Sequence, residues 1–405
     1  MNDPGSRGPT RLFGALWLPA MLLLCSCVDP NQPGSGVPGP DDDDAVVDDG
    51  TPRMTFEPEV VQAGALEVIF TSLRNFELGD DATVCCSSEH VRFYQTVEEL
   101  SAQYLDLLFY FGLRGDGPAE WGIETGGIQV VGEFDIQPLG DVPELAPGLA
   151  AGTASLPQAG AFDVFTFEVL EPNSFVSIQA ANMTADQHPW LWVFEDDGIT
   201  SVINAGLEMM GNYGTPALGF WAEEPGSYFL RIDENDDDAG SDDWICDVDL
   251  LVTAAGDALP HTEMEPNDIA EGWQELGTFA PGIHRVTGVA ATAGHDANDD
   301  LSGDLDVFWF QLDARAFVEF ELTWEGGDDL DAMLYQGTPS QVELGYGSSR
   351  AISYGMATPD KPETAGLLLP AGSYVVEVGN WDGAPDVPWT IDLRVIPMDF
   401  EPETR

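Results

Sequence analysis

Lysine is almost missing: Lys361 is the single one among 405 residues. With the arginines there are 13 basic side chains against 72 Asp and Glu, a formal charge of -59. A surface this acidic repels phosphate backbones and anionic headgroups, which excludes nucleic acid as a partner. It attracts cations, and calcium takes carboxylate oxygens by preference. For the bulk of the charge, solubility in a salty medium is a sufficient reading.

Histidine and cysteine are equally sparse, at five each, and neither forms a recognisable centre. No H-E-x-x-H occurs among His90, His188, His261, His284 and His295, which excludes a zincin protease. There is no G-x-S-x-G elbow, no phosphate-binding loop and no C-x-x-C pair of zinc spacing. Paired acids are too numerous to single out a glycosidase dyad. Beyond Pro52 no long amphipathic helix can be drawn. The residues therefore point away from an enzyme.

The first residues have a different character. Arg7 and Arg11 precede an apolar run, Leu12 to Leu24, that is short for a bilayer span and ends in LCSC. This resembles the bacterial lipoprotein signal. The resemblance implies cleavage of residues 1–26, lipidation of the Cys27 thiol and a place in the cell envelope on the outer membrane or cell surface; an uncleaved anchor is the alternative. Residues 27–53, rich in Pro, Gly and Asp, have nothing from which to build a core and read as a disordered acidic tether.

The rest reads as all-β, in three tandem sandwich units. Short runs of Val, Ile, Phe, Tyr and Trp alternate with Gly, Pro, Asn and Asp. The first unit, 54–137, has the length and rhythm of an immunoglobulin-like sandwich, and its close, IQVVGEFDI, resembles that of bacterial immunoglobulin-like surface domains. One stretch within it, Thr96 to Leu113, is ambiguous: its first half could form a turn of helix, while LDLLFYFGL fits a strand.

Units 145–255 and 262–397 share landmarks in the same order. FDVFTF at Phe162 answers LDVFWF at Leu305, PGSYFLRI at Pro225 answers AGSYVVEV at Ala371, and CDVDLLV at Cys246 answers WTIDLRV at Trp389. The displacements are 143, 146 and 143 residues, as a duplication predicts. Period two places Phe308, Phe310, Leu312, Val318, Phe320, Leu322, Trp324, Tyr374, Val376 and Val378 in one core, with Glu319, Glu321 and Glu377 outside. Phe165, Phe167, Val176, Ile178, Tyr228, Leu230 and Ile232 fill the other.

In order, EPNDIAEGWQEL, GDLDVFWFQL, DDLDAMLYQGT and LPAGSYVVEVGNWDG resemble the bacterial pre-peptidase C-terminal domain family, small jelly-roll-like sandwiches attached to secreted proteases, collagenases and non-enzymatic surface proteins. The resemblance covers 262–397 well. It covers 145–255 in part, because that unit has no E-P-N-D opening. It implies a calcium site formed by Glu265, Asn267, Asp268, Asp304 and Asp306. Acids on alternate residues do share one side of a strand, and calcium needs six to eight oxygens; the competing reading is a solvated loop that ends the strand. The acidic loops Asp233 to Asp243 and His295 to Asp306 lack the glycine, the distal glutamate and the flanking helices of an EF-hand.

Two further readings stay open. Trp309 falls opposite Phe308 and Phe310, while Trp381 and Trp389 lie in or near a loop. These tryptophans stack on an extracellular polymer, cover a second sheet face or make an inter-domain contact. Cys85 and Cys86 are adjacent, so they form a strained vicinal bridge, or one of them is buried and the other meets Cys246. The expectation is a non-enzymatic, lipid-anchored surface protein that binds or displays an extracellular polymer or another surface protein, stiffened by calcium. The alternative is a polysaccharide- or fibrous-protein-binding accessory module.

Overall fold

The computed structural model describes residues 51–76, 82–101, 104–156, 161–183, 189–205, 216–234, 244–265, 267, 272–292, 294, 305–326, 329–344, 351–356, 362–382, 384–398 and 400. The signal, the tether up to residue 50 with Cys27, Asp268, Asp304 and most of both acidic loops lie outside them; Arg53, expected in the tether, opens a strand. Every regular element among the described residues is a strand.

The chain divides into two compact units: Met1–Pro143 with Phe194–Ser201, and Glu144–Val193 with Val202–Arg405. The first contains β1 (Arg53–Glu57), β2 (Val60–Gln62), β3 (Leu66–Arg74), β4 (Thr83–Ser87), β5 (Val91–Ser101), β6 (Tyr104–Phe111), β7 (Gly117–Thr125) and β8 (Ile128–Gln137). They form two four-stranded sheets, ordered β1-β3-β6-β5 and β2-β8-β7-β4. β8 shows the rule that builds them: in IQVVGEFDIQ every second residue from Val130 is buried. Phe134 stacks on Phe56 at 4.0 Å, and Trp121 meets the edge of Phe109 at 5.0 Å. Of the ambiguous stretch, residues 96–101 and 104–111 are strand. β5 pairs with β6 in a hairpin, where the apolar residues of LDLLFYF find partners on both faces.

The second unit holds two sandwiches. One contains β9 (Glu144–Leu145), β10 (Gly148–Leu156), β11 (Phe162–Val169), β12 (Ser174–Ala181), β13 (Pro189–Glu195), β14 (Ser201–Ala205), β15 (Ala217–Ala222), β16 (Gly226–Glu234) and β17 (Trp244–Ala254). Its sheets run β10-β17-β12-β15 and β14-β13-β16-β11-β9. The other contains β18 (Leu259–Thr262), β19 (Gln274–Phe279), β20 (Gly282–Ala290), β21 (Leu305–Leu312), β22 (Ala316–Trp324), β23 (Asp329–Gln336), β24 (Ala351–Met356), β25 (Glu363–Leu369), β26 (Gly372–Asp382) and β27 (Val387–Pro397). Its sheets run β18-β20-β27-β22-β25 and β19-β21-β26-β23-β24.

Their shared landmarks occupy matching places. FDVF opens β11, which pairs antiparallel with the GSY strand β16; LDVF opens β21, which pairs antiparallel with the GSY strand β26. The core positions assigned by period two all face inward in both sandwiches, with Tyr228 at the margin. Cys246 lies in the core of the first of them as a free thiol, so it makes no bridge to Cys85 or Cys86.

Glu377 departs from expectation. It is buried, not outside, and accepts a hydrogen bond from the Tyr335 hydroxyl at 2.5 Å. The cause is a second apolar layer. Val307, Met333, Tyr335 and Val375 cluster on the outer face of the sheet, with Trp273, Trp309 and Trp381 packed against them.

A third cluster joins the two sandwiches. Phe175, Ala217 and Ala255 from one meet Ile283, Phe317, Leu368, Ile396, Met398 and Phe400 from the other. Gly219 permits this approach: a Cβ there would stand 2.6 Å from Met398 Cε and 2.9 Å from Ile396 Cγ2. Beside the cluster Arg394 holds Glu319 at 3.0 Å and Glu321 at 2.7 Å, with its guanidinium 4.2 Å from the Trp221 ring centroid.

Burial also shapes Asp233, at the end of β16. Its side chain is 14% exposed and pairs with Arg231 at 3.0 Å. Desolvation nevertheless outweighs that cation and pushes the carboxyl up to about 6. The folded value lies above the ordinary one, so this group's contribution to stability is full below about pH 4 and is lost as pH rises through about 6. Relative to Asp233→Asn, the wild type should lose about 3 kcal/mol across that window. Urea unfolding of both proteins at several pH values checks this; a pH-independent difference would contradict it.

Candidate metal centre

The site begins with the segment that follows β18. Gln274 fixes it: its side-chain oxygen accepts from Met264 N–H at 2.8 Å, and its amide donates to the Thr262 carbonyl at 3.0 Å. Glu263, Glu265 and Asn267 follow β18 at alternate positions in the sequence. Asp306 comes from the second residue of β21. Oxygens of Glu263, Glu265 and Asp306 all lie within 4.8 Å of one another, and this is the one such cluster among the described residues.

Each ligand candidate has a defined place. Asp306 is 0% exposed, and its Oδ2 accepts from Trp389 Nε1–H at 2.7 Å. Glu263 Oε2 accepts from Val289 N–H at 2.9 Å, while its buried Oε1 has no hydrogen-bond partner. Glu265 Oε2 accepts from Asn267 N–H at 3.1 Å. The Asn267 side chain is 0% exposed, and neither its Oδ1 nor its Nδ2 has a hydrogen-bond partner. A buried amide left in that condition costs about 1–3 kcal/mol, and a cation accepting its oxygen removes part of that cost.

Three carboxylates at this spacing repel unless a proton or a cation intervenes. The donors are hard oxygens from two or more acids and one amide, which suits calcium better than zinc or copper. Thus Glu265, Asn267 and Asp306 of the expected set are brought to one end of the sandwich. Asp268 and Asp304 fall outside the described residues. Glu263 belongs to the cluster and is missing from the expected set. Its signal was available: E-M-E-P-N-D places Glu263 in register with Glu265 and Asn267, two residues apart.

Trp389 is not at a loop surface. It lies in β27, 2% exposed, as the donor that orients Asp306. The sequence placed it in or near a loop, but Trp389 pairs with Gly288 across the ladder and turns inward. A Cβ at Gly288 would stand 2.4 Å from Trp389 Cζ2 and 2.4 Å from Glu263 Oε2. The carboxylate could retreat; the ring, fixed in the core, could not. Gly288→Ala should therefore cost about 1–3 kcal/mol in urea unfolding and displace both Glu263 and the ring that orients Asp306. A variant as stable as wild type would show that the ring has room to move.

The other sandwich does not repeat the arrangement among its described residues. Its counterpart of Asp306 is Asp163, whose Oδ2 accepts from Ser155 N–H at 2.7 Å. Its counterpart of Trp389 is Cys246, which has no donor of comparable reach.

The geometry defines a tandem β-sandwich protein with one hard-oxygen cluster. Among solved structures, the pre-peptidase C-terminal domain of collagenase from Bacillus anthracis is similar to 28% of this chain over 98% of its own length, at 14% identity and a TM-score of 0.22. The CBM22-1–CBM22-2 tandem of Xyn10C from Paenibacillus barcinonensis aligns with 82% of this chain and 98% of its own, at 11% identity and a TM-score of 0.16. Tripeptidyl peptidase 2 aligns over 85% of this chain but 33% of its own, at 8% identity and a TM-score of 0.23. Likenesses at these TM-scores carry no function over to this chain. No family model matches the sequence, and no curated protein matches it.

Proposed function

We propose that this protein is a non-enzymatic, extracellular binding or structural module, lipid-anchored through Cys27, whose last sandwich is stiffened by calcium. One observation carries the metal reading: three acidic side chains converge within 4.8 Å beside Asn267, a fully buried amide with no hydrogen-bond partner. Glu263, Glu265, Asn267 and Asp306 would supply oxygens, with Asp268 and Asp304 completing the set. Calcium would neutralise the convergent charge and tie the segment after β18 to the head of β21, bracing one end of the sandwich.

The test is thermal unfolding of the full chain in chelator, calcium and magnesium. At a hundredfold excess over Kd, calcium should add about 2.7 kcal/mol, a rise in Tm of about 5–10 °C. Magnesium, which dehydrates reluctantly and demands tight octahedral geometry, should add far less. Equal responses to both ions would reduce the effect to screening of an acidic surface and end the metal reading.

A second reading, polymer binding, rests on the aromatic layer. Trp309 and Trp381 are half-buried with Trp273 on one sheet face, an arrangement able to stack on sugar rings. Pull-down on insoluble polysaccharide with a Trp309→Ala control separates the two: retention that the variant loses favours binding, and no retention favours a purely structural layer.

A further inference from the structure

We propose that Cys85 and Cys86 form a reversible dithiol–disulfide site on the edge of the first sandwich, taking a small-molecule or protein disulfide as its oxidant. In a regular strand adjacent side chains point to opposite faces. Here the ladder between β4 and β7 slips. Val84 faces Ile123 and Cys86 faces Gly122, so Cys85 is the extra residue of a bulge. A bulge re-aims side chains, and the two Sγ atoms stand 3.5 Å apart, both thiols free and half-buried. β4 is the outermost strand of its sheet, with one neighbour. Gly122 makes the room: a Cβ there would lie 2.7 Å from Cys86 Sγ.

Burial, then the hydrogen bond and charge of Cys86, push the Cys85 thiol up to about 11. One of the two thiols gives up a proton, and its sulfur forms a bond to one sulfur of the oxidant as the oxidant's S–S bond breaks and the other half leaves as a thiolate. The second thiol then loses its proton to that thiolate or to solvent. Its sulfur, 3.5 Å away, attacks the first, the mixed disulfide breaks, and the second half of the oxidant leaves. Two protein thiols become one disulfide, two electrons pass to the oxidant, and the oxidant becomes two thiols. Adjacent Cα atoms lie about 3.8 Å apart, short of the usual disulfide range, so the closed ring is strained and readily reduced. That lability suits a regulatory bridge rather than a permanent one.

The folded full chain is incubated with oxidised glutathione, quenched with acid and digested with trypsin. Cleavage after Arg74 and Arg92 gives one peptide holding both cysteines and no other. The expected result is loss of two hydrogens from that peptide, with no adduct, reversed by mild thiol reductant. Cys246, 1% exposed with its thiol pushed up to about 12 by burial, should remain reduced. In Cys85→Ser and in Cys86→Ser the remaining thiol should stay reduced or keep a glutathione adduct, and neither peptide should lose two hydrogens. A wild-type peptide that stays at its dithiol mass, that keeps a stable glutathione adduct, or that links to a second chain would overturn the proposal. The wild-type measurement stands alone should either variant fail to fold.

Discussion

Arg394→Ala is expected to lower the stability of the second unit by about 3–5 kcal/mol near neutral pH, the range for breaking a buried ion pair from one side. The Arg394 side chain is 3% exposed and satisfies Glu319 and Glu321 at once. Its removal leaves two like charges on one strand face, partly covered and without their shared cation, and opens a gap beside Trp221. Burial already raises the Glu319 carboxyl against the pull of Arg394, and without the guanidinium it should rise further. The sign of the pH dependence follows. A carboxyl raised in the folded state destabilises once ionised, so the deficit should be largest near neutrality and shrink as the medium approaches about pH 4. Urea unfolding of wild type and variant at both pH values reads this directly. A deficit below about 1 kcal/mol, typical of an exposed pair, would show that the triad contributes little.

Asp306→Asn should reverse the order of stability with calcium. In chelator the variant should be the more stable protein, because one of three converging negative charges is gone while the amide oxygen can still accept from Trp389. In calcium the wild type should overtake it, because the variant has lost a charged ligand at the buried centre of the site. The expected swing is the full calcium contribution, about 2.7 kcal/mol at a hundredfold excess over the wild-type Kd. Two thermal scans per protein decide it. Parallel responses of the two proteins would place calcium elsewhere on the acidic surface.

What the sequence disclosed follows the reach of its signals. Period two is a local rule, and it located the cores of both repeated sandwiches, down to Phe308, Phe310 and Leu312 on β21. The duplicated landmarks likewise fell on equivalent strands. The rule says only which side a residue takes, not what covers that side. Glu377 was thus assigned to water, although Trp273, Trp309 and Trp381 gather on that face from three separate strands or turns. Trp389 was judged by its neighbours in the chain, whereas its position is set by Gly288 and Asp306, each from a different strand. The acidic cluster was legible where the resemblance supplied it, at Glu265 and Asp306, with Asn267 two residues beyond Glu265. Glu263 lay one step outside the quoted motif. The bulge that brings two adjacent cysteines to one side depends on the register against β7, which no property of β4 alone reveals.

The apolar contact between the two repeated sandwiches has a practical meaning. Phe317, Ile396, Met398 and Phe400 belong to the same buried cluster as Phe175 and Ala217. A fragment beginning at residue 262 would carry half of that cluster into water as a sticky face. The duplicated sandwiches are therefore not interchangeable beads that can be cut apart at the sequence boundary between them. They should melt together, in one transition, and the smallest piece worth expressing from this end of the chain starts before β9.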